Sequence, residues 1–285
     1  SVVIDTQSVV VGAHSFVFDN TVERLHLVDS AATTTVTAAN GVMNLGSASL
    51  RVEGNDITLN APLNATGLVI DAEGRVTLNG DITVTGSYVG SKVDSGMIVL
   101  DSASALLDFD GVDFDGPGSH LILTGFGFND TIRSEVAALT AVNHGANGFN
   151  GVSVREVNGL NILGAGLALG GIYSAKGGID VELAGAGAIF NHESGIIQAA
   201  NESGDIILRA DDVNLAAGVG SVDGQANLTI RSVADTRDYR FGSAAVNVND
   251  LDLTGTGSNS AMNFSQRDLD AVANRFSRIL IGHAG

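Results

Sequence analysis

The stretch Arg75-Val-Thr-Leu-Asn-Gly-Asp-Ile-Thr-Val-Thr-Gly86 contains two short apolar-polar-apolar segments separated by Asn79-Gly80-Asp81. Alternation of apolar and polar residues with a period of two is typical of a β-strand with one buried face. Each segment is only about three residues long, and polar or glycine residues end it at once. The stretch therefore predicts very short strands joined by tight corners.

The same pattern extends over residues 49–86 and returns over residues 204–232. Apolar segments begin about 6 to 11 residues apart, so three strands and their turns occupy roughly two dozen residues, which suits one coil of a parallel β-solenoid. We therefore expect an all-β protein, a parallel β-helix formed as a single solenoid over residues 1–285. An antiparallel sandwich or barrel is the alternative. Asn-Gly pairs such as Asn40-Gly41 and Asn79-Gly80 are expected to turn the corners, with glycine supplying positive φ and asparagine bonding to adjoining coils.

Composition supports thin, repeated layers. The 285 residues include 37 Gly, no Cys, no Trp and 5% aromatic residues, so Val, Ile, Leu and Ala must form the core. The absence of cysteine excludes disulfides and thiolate metal sites. A formal net charge of −18 argues against nucleic acid and anionic membrane surfaces as partners. No apolar run reaches the roughly 18 residues of a membrane helix, so we expect no membrane insertion.

Two segments depart from the strand pattern. Residues 131–139 place Ile132, Val136 and Leu139 at helical spacing, with Asn129 and Asp130 available as N-caps, so a short helix is predicted there. It would lie in a Gly- and Asn-rich region, residues 117–178, that is expected to be irregular.

The second helix is predicted at residues 265–274. Ser265 and Asp268 have the spacing of a capping box, and an apolar face is predicted for the helix. That face consists of Leu269, Val272, Ala273 and Phe276. A strand is predicted from Arg278 to Ile281, so residues 265–285 would form a terminal unit of helix plus strand. Both helices are candidates to cap an end of the solenoid, and without caps we expect end-to-end self-association into a fibre.

Residues 75–86 and 204–215 resemble the repeats of bacterial filamentous-haemagglutinin-like exoproteins and other giant repetitive adhesins. Residues 268–282, Asp-Leu-Asp-Ala-Val-Ala-Asn-Arg-Phe-Ser-Arg-Ile-Leu-Ile-Gly, are similar to a recurrent unit of very large surface proteins of that kind. The resemblance implies a right-handed parallel β-helix, secreted or displayed at the bacterial cell surface, that acts as a shaft or adhesin without catalysis. Its partner would be a cell-surface glycan or protein. The Asn-Pro-Asn motifs of the secretion domain of such exoproteins do not occur here.

The densest acidic cluster is Asp108, Asp110, Asp113 and Asp115. Asp108 and Asp110 alternate with apolar residues, so on a strand their carboxylates leave one face while Leu107 and Phe109 point to the other. Oxygen-only ligands suit Ca²⁺, and we predict a structural Ca²⁺ site at these four residues and no other cofactor. Acidic corners in solvent are the alternative interpretation.

Parallel β-helices also include polysaccharide lyases and glycoside hydrolases, so a polysaccharide-acting enzyme is the alternative function. Such catalysis needs carboxylates at a defined separation. Asp211-Asp212 is the obvious pair, but adjacent strand residues point to opposite faces, which favours a solvated corner. No nucleophile elbow, phosphate-binding loop or His-Glu-x-x-His motif occurs, and none of the six histidines is spaced for a metal. We therefore expect no catalysis.

Overall fold

The computed structural model describes residues 2–5, 8–11, 24–28, 33–38, 41–87, 94–145, 151–167, 169–233, 238–241 and 261–282. The chain divides into two compact units. The first contains Ser1–Ala137 and Asn143–Phe149, and the second contains Ala138–Val142 and Asn150–Gly285.

The first unit contains only strands among its described residues. They are β1 (Val2–Asp5), β2 (Ser8–Val11), β3 (Arg24–Val28), β4 (Thr33–Ala38), β5 (Met43–Asn44), β6 (Ser49–Gly54), β7 (Asp56–Leu59), β8 (Leu63–Ala65), β9 (Leu68–Ala72), β10 (Val76–Leu78), β11 (Ile82–Val84), β12 (Met97–Ser102), β13 (Leu107–Asp108) and β14 (Asp113–Gly125). β15 (Ile132–Asn143) contributes residues to both units.

The second unit contains strands and one short helix among its described residues. They are β16 (Val152–Glu156), β17 (Leu160–Ile162), β18 (Gly171–Ser174), β19 (Ile179–Leu183), β20 (Ile189–His192), β21 (Ile196–Ala199), β22 (Ile206–Arg209), β23 (Asp212–Leu215), β24 (Val222–Gly224), β25 (Asn227–Arg231), β26 (Asp238–Phe241), β27 (Ala261–Phe264), α1 (Gln266–Ala271) and β28 (Arg278–Ile281).

Each unit is built from three parallel ladders. In the first, one ladder runs β1–β3–β6–β9–β12–β14, a second β5–β8–β11–β14 and a third β2–β4–β7–β10–β13. In the second, the ladders are β16–β19–β22–β25–β28, β17–β20–β23 and β18–β21–β24. Each strand thus pairs with its equivalent one coil later, which is the pairing of a parallel β-solenoid. The antiparallel alternative is wrong, because these ladders are parallel.

The coils vary in length around the predicted two dozen residues, since register partners are 18 residues apart at Leu50 and Leu68 and 30 apart at Leu160 and Phe190. Side chains that bond from one coil to the next are 19 residues apart at Asn60 and Asn79 and 27 apart at Glu182 and Arg209. The strands alternate as expected, with Val, Ile and Leu buried and their neighbours partly exposed. Burial of these apolar side chains in stacked layers is the main stabilising term.

Aromatic side chains form part of the core of the first unit, whereas the low aromatic content of the sequence predicted a core of aliphatic residues. The ring of Phe109 meets those of Phe114 and Phe128 with centroids 5.7 and 6.0 Å apart, and all three are buried. Leu107 and Val112 are buried beside them, as the alternation around the acidic cluster predicted.

The helix predicted at residues 131–139 is wrong. Residues 132–139 belong to β15, in which Ile132, Ser134 and Val136 are buried while Arg133 and Glu135 are half-buried. This period of two makes Ser134 an interior residue, whereas a helix would place it opposite the apolar stripe. The prediction of an irregular region over residues 117–178 is also wrong for the described residues, because part of β14 and all of β15, β16, β17 and β18 lie there.

The Asn-Gly corners require glycine for two different physical reasons. Gly41 has the predicted positive φ, at +82°. Gly80 does not, and a Cβ there would lie 2.4 Å from the backbone nitrogen of Pro62 on the preceding coil. Glycine at position 80 is therefore required by the close approach of two coils.

The second predicted helix is present as α1, but its packing differs from the prediction. Ser265 accepts a hydrogen bond from the backbone N–H of Asp268, and the Asp268 side chain accepts from the Ser265 N–H, which is the predicted capping box. The buried residues of the helix are Asp268 and Ala271, whereas Leu269 is 38% exposed. The predicted apolar face is therefore wrong. No helix among the described residues is long and apolar enough to span a membrane.

Candidate functional site

The four aspartates of the predicted Ca²⁺ site do not share one set of contacts. Asp108 accepts from the Asn129 side chain and lies 3.4 Å from a guanidinium nitrogen of Arg75. Asp113 accepts from Arg133 Nε at 3.0 Å, while Asp110 and Asp115 are exposed. Within the described residues, no three Asp, Glu or His side chains are grouped to hold a metal ion. Calcium binding there stays a prediction, and calorimetric titration with millimolar Ca²⁺ tests it.

The residues expected to cap a helix at position 131 instead join neighbouring coils. Asn129 Oδ1 accepts from the backbone N–H of Phe109 at 2.9 Å. Asp130 accepts from the N–H of Gly111 at 3.1 Å and from Arg133 at 3.0 Å. Burial would raise the pKa of Asp130, but these donors, together with the Thr131 N–H, outweigh it and hold that pKa below its ordinary value.

The outward positions of β3 and β6 in the first unit carry an ion-pair network. Arg51 Nε lies 2.5 Å from Glu53 Oε1, and His26 Nε2 lies 3.2 Å from the same oxygen across the two strands. The hydrogen bond from Arg51 is the largest cause of a lowered pKa at Glu53. His26 is half-buried and takes part in this network.

The second unit carries both an ion-pair column and an amide column. Arg209 on β22 forms ion pairs with Asp180 and Glu182 on β19, with N···O distances of 2.5 and 3.1 Å. Asn191 Nδ2 donates to Asn161 Oδ1 at 3.0 Å, and Asn214 Nδ2 donates to Asn191 Oδ1 at 2.6 Å. An amide both donates and accepts, so one residue type in register can join coil after coil. The sequence predicted that asparagines bond to adjoining coils, but it did not predict these columns. Asparagines at equivalent positions of successive repeats were the signal that could have revealed them.

Asp211 and Asp212 are not the solvated pair that the sequence predicted. Asp211 is buried, and its Oδ2 accepts from the backbone N–H of Gly187 at 2.6 Å on the preceding coil. Asp212 Oδ1 lies within 3.3 Å of the N–H of Asn263 on β27. Both carboxylates thus bind backbone groups of neighbouring segments.

Among the described residues, two histidines are buried, one in each unit. His120 on β14 and His192 on β20 are 2% and 0% exposed. Burial lowers the pKa of each to about 4, because the charged imidazolium is disfavoured away from water. Both are therefore neutral at pH 7. His14 and His283 lie outside the described residues.

A pocket of about 500 Å³ lies in the second unit, between the turn before β24 and the end of α1. The Arg275 guanidinium binds Asp223 through two nitrogens, with Nε 2.9 Å from Oδ1, and Gln198 donates to the same carboxylate at 2.8 Å. The hydrogen bond with Asp223 raises the pKa of Arg275 above its ordinary value. Val219, which is 87% exposed, and Leu269 add apolar surface. Polar groups beside exposed apolar surface are what a ligand pocket requires, so this pocket is the candidate binding site.

Comparison of the chain with family models, with curated proteins and with solved structures finds no match.

Proposed function

We propose that the chain is a non-catalytic structural and adhesive segment of a secreted or surface-displayed bacterial protein, folded as a right-handed parallel β-helix. One observation carries the proposal: charged and amide side chains on the described ladders bond from one coil to the next. Glu182 to Arg209 and Asn161 to Asn191 are examples. The resemblance of residues 75–86, 204–215 and 268–282 to repetitive bacterial exoproteins supports the same role.

Mechanically, each coil is joined to its neighbours by backbone ladders, by stacked aliphatic side chains and by these outward bonds. Force along the ladders is then shared by many short strands. A segment of this kind holds a binding surface in place, and its outward residues can vary without disturbing the core. The ligand would be a cell-surface glycan or protein, bound at the pocket lined by Val219, Asp223 and Leu269.

The test is a panel of cell-surface glycans, screened with the 285-residue chain for binding and for cleavage products. Val219→Lys should weaken binding at least about tenfold, because it places a charged chain at the pocket mouth. Val42→Lys is the matched control, since Val42 is an exposed valine of the first unit, and it should leave binding unchanged. Cleavage products would overturn the proposal in favour of the polysaccharide-acting enzyme. Binding that Val219→Lys and Val42→Lys weaken equally would overturn the assignment to the pocket.

A further inference from the structure

Among the described residues, β28 is the outermost strand of the ladder β16–β19–β22–β25–β28, and one of its inward residues is exposed. In register along it lie Val152, Ile179, Ile206, Leu228 and Ile279. The first four are at most 1% exposed, whereas Ile279 is 48% exposed. An apolar inward side chain that is exposed on the outermost described strand can be buried by a further strand added at that edge.

The free edge of β28 can be assigned from its hydrogen bonds. The N–H of Gly282 donates to the carbonyl of Ile230 on β25 at 3.0 Å. Alternate residues of a strand in a parallel ladder face opposite neighbours, so Leu280 and Gly282 face β25. The N–H and C=O groups of Ile279 and Ile281 face away from it. Among the described residues, β25 is the strand with which β28 pairs.

Helix α1, which was predicted as a candidate cap of the solenoid, does not lie at this edge. α1 packs against β23 and β27, and Asp268 Oδ1 accepts from the Leu215 N–H at 2.7 Å. Val272, just after the helix, bridges to Val222 on β24. The helix therefore belongs to the wall that continues β23 and β24, and β28 lies in the next ladder.

We propose that β28 pairs antiparallel with β28 of a second copy of this chain, about a two-fold axis at Leu280. Ile279 then lies opposite Ile281 of the second copy, and the two residues exchange backbone N–H···O bonds because both present these groups at the free edge. Arg278 lies opposite Gly282 of the second copy, so no like charges meet. The four isoleucines cover one another on the inward face. The sequence Arg278-Ile-Leu-Ile-Gly282 is thus self-complementary.

A two-fold contact of this kind closes after two copies, unlike the open fibre expected from end-to-end stacking. The inference rests on the proposed structural role, because it gives the solenoid segment a defined partner at one end. The contact is small, so we expect a reversible pair whose population rises with concentration.

Sedimentation velocity of the full chain over a range of concentrations tests the pairing. The wild-type chain should sediment as monomer and dimer. Ile279→Lys should weaken dimerisation by roughly 100-fold, because two ammonium groups would enter one apolar contact. Val157→Lys, at an exposed valine of the same unit, should dimerise as wild type does. A monomer at every concentration, an open series of larger species, or unchanged dimerisation of Ile279→Lys would each overturn the proposal.

The two-fold geometry has a second, independent test. The chain contains no cysteine, so Leu280→Cys would be its single thiol. At the centre of the antiparallel pair the two Cα atoms would be about 4.5 Å apart, within disulfide range. Mild oxidation should therefore yield disulfide-linked dimers for Leu280→Cys and few for Val157→Cys. Equal yields would overturn the geometry. Both readouts measure mass, so their failure would leave the glycan-binding test of the proposed function unaffected.

Discussion

Residues 129–139 and 265–271 both place a capping side chain ahead of apolar residues at helical spacing, yet the first segment enters strand β15 and the second forms helix α1. The difference lies in where the capping side chains bond. Asn129 and Asp130 bond sideways, to the backbone N–H groups of Phe109 and Gly111 on the preceding coil. Ser265 and Asp268 bond to each other's backbone groups. Asp268 also accepts from the Leu215 N–H on β23 through its other carboxylate oxygen, so a helix cap and a bond to a neighbouring strand coexist there. A capping side chain supports a helix when one of its acceptors binds N–H groups at the start of that helix.

The largest expected effect comes from Ser134→Lys. A helix would leave position 134 at its polar face and tolerate lysine, whereas β15 buries Ser134. Burial of an unpaired ammonium group should lower the free energy of unfolding by at least about 4 kcal/mol. Urea denaturation measures it. Glu135→Lys, at a half-buried neighbour, should cost less than about 1 kcal/mol, and equal costs for the two variants would contradict the strand.

The next effect tests the second segment. Asp268→Ala removes the capping box and also leaves the Leu215 N–H without its acceptor. The lost cap and the lost buried bond should together lower the free energy of unfolding by about 2 to 3 kcal/mol. Asp270→Ala, at an exposed aspartate of the same helix, should stay within about 0.5 kcal/mol. A loss of helix without a loss of stability would show that α1 does not support the coil beneath it.

A smaller effect is expected from Asn129→Ala. The variant leaves the N–H of buried Phe109 without its acceptor and takes a donor from Asp108. The expected loss is about 1 to 2 kcal/mol, measured by the same denaturation. Asn274→Ala, at an exposed position of the second unit, serves as the control. A neutral result for Asn129→Ala would mean that water replaces the side chain at that corner.

The smallest effect is a change in pH dependence with Asp130→Asn. Because the folded state lowers the pKa of Asp130, its carboxylate stabilises the fold above its ordinary pKa of about 4. That contribution is lost as pH falls through the lowered folded-state pKa. Wild type should exceed Asp130→Asn in stability by less than about 1 kcal/mol at pH 7, and the difference should vanish in acid. A difference between wild type and Asp130→Asn that stays the same from pH 7 into acid would contradict this role of the carboxylate.

Period and composition were enough to predict most of the strands and their parallel stacking, because short apolar segments with a period of two repeat along the chain. Strand β15 was not predicted, since its apolar residues also fit helical spacing. The capping box at Ser265 was predictable because its residues lie close together in sequence. The hydrogen bond between Asn129 and Phe109 was not predictable, because Phe109 lies 20 residues earlier on another coil. The exposure of Leu269 and the burial of Asp211 likewise depend on which coils lie side by side. The outward columns of ion pairs and amides in the second unit needed the register of successive repeats, which a short sequence window does not contain.

Because His120 and His192 are buried, protons bind these histidines more tightly in the unfolded chain than in the folded one. Unfolded, each histidine has a pKa near 6.5, whereas His120 and His192 in the fold have a pKa of about 4. Between pH 6.5 and pH 4 these histidines bind protons in the unfolded chain but not in the folded chain. The free energy of unfolding therefore falls as the solution is acidified over this range. Below pH 4 this loss levels off, and above pH 6.5 it is absent. Each unit therefore has its own sensitivity to mild acid. Because the histidine lies in the core, added salt changes this sensitivity much less than it changes the interactions of surface charges.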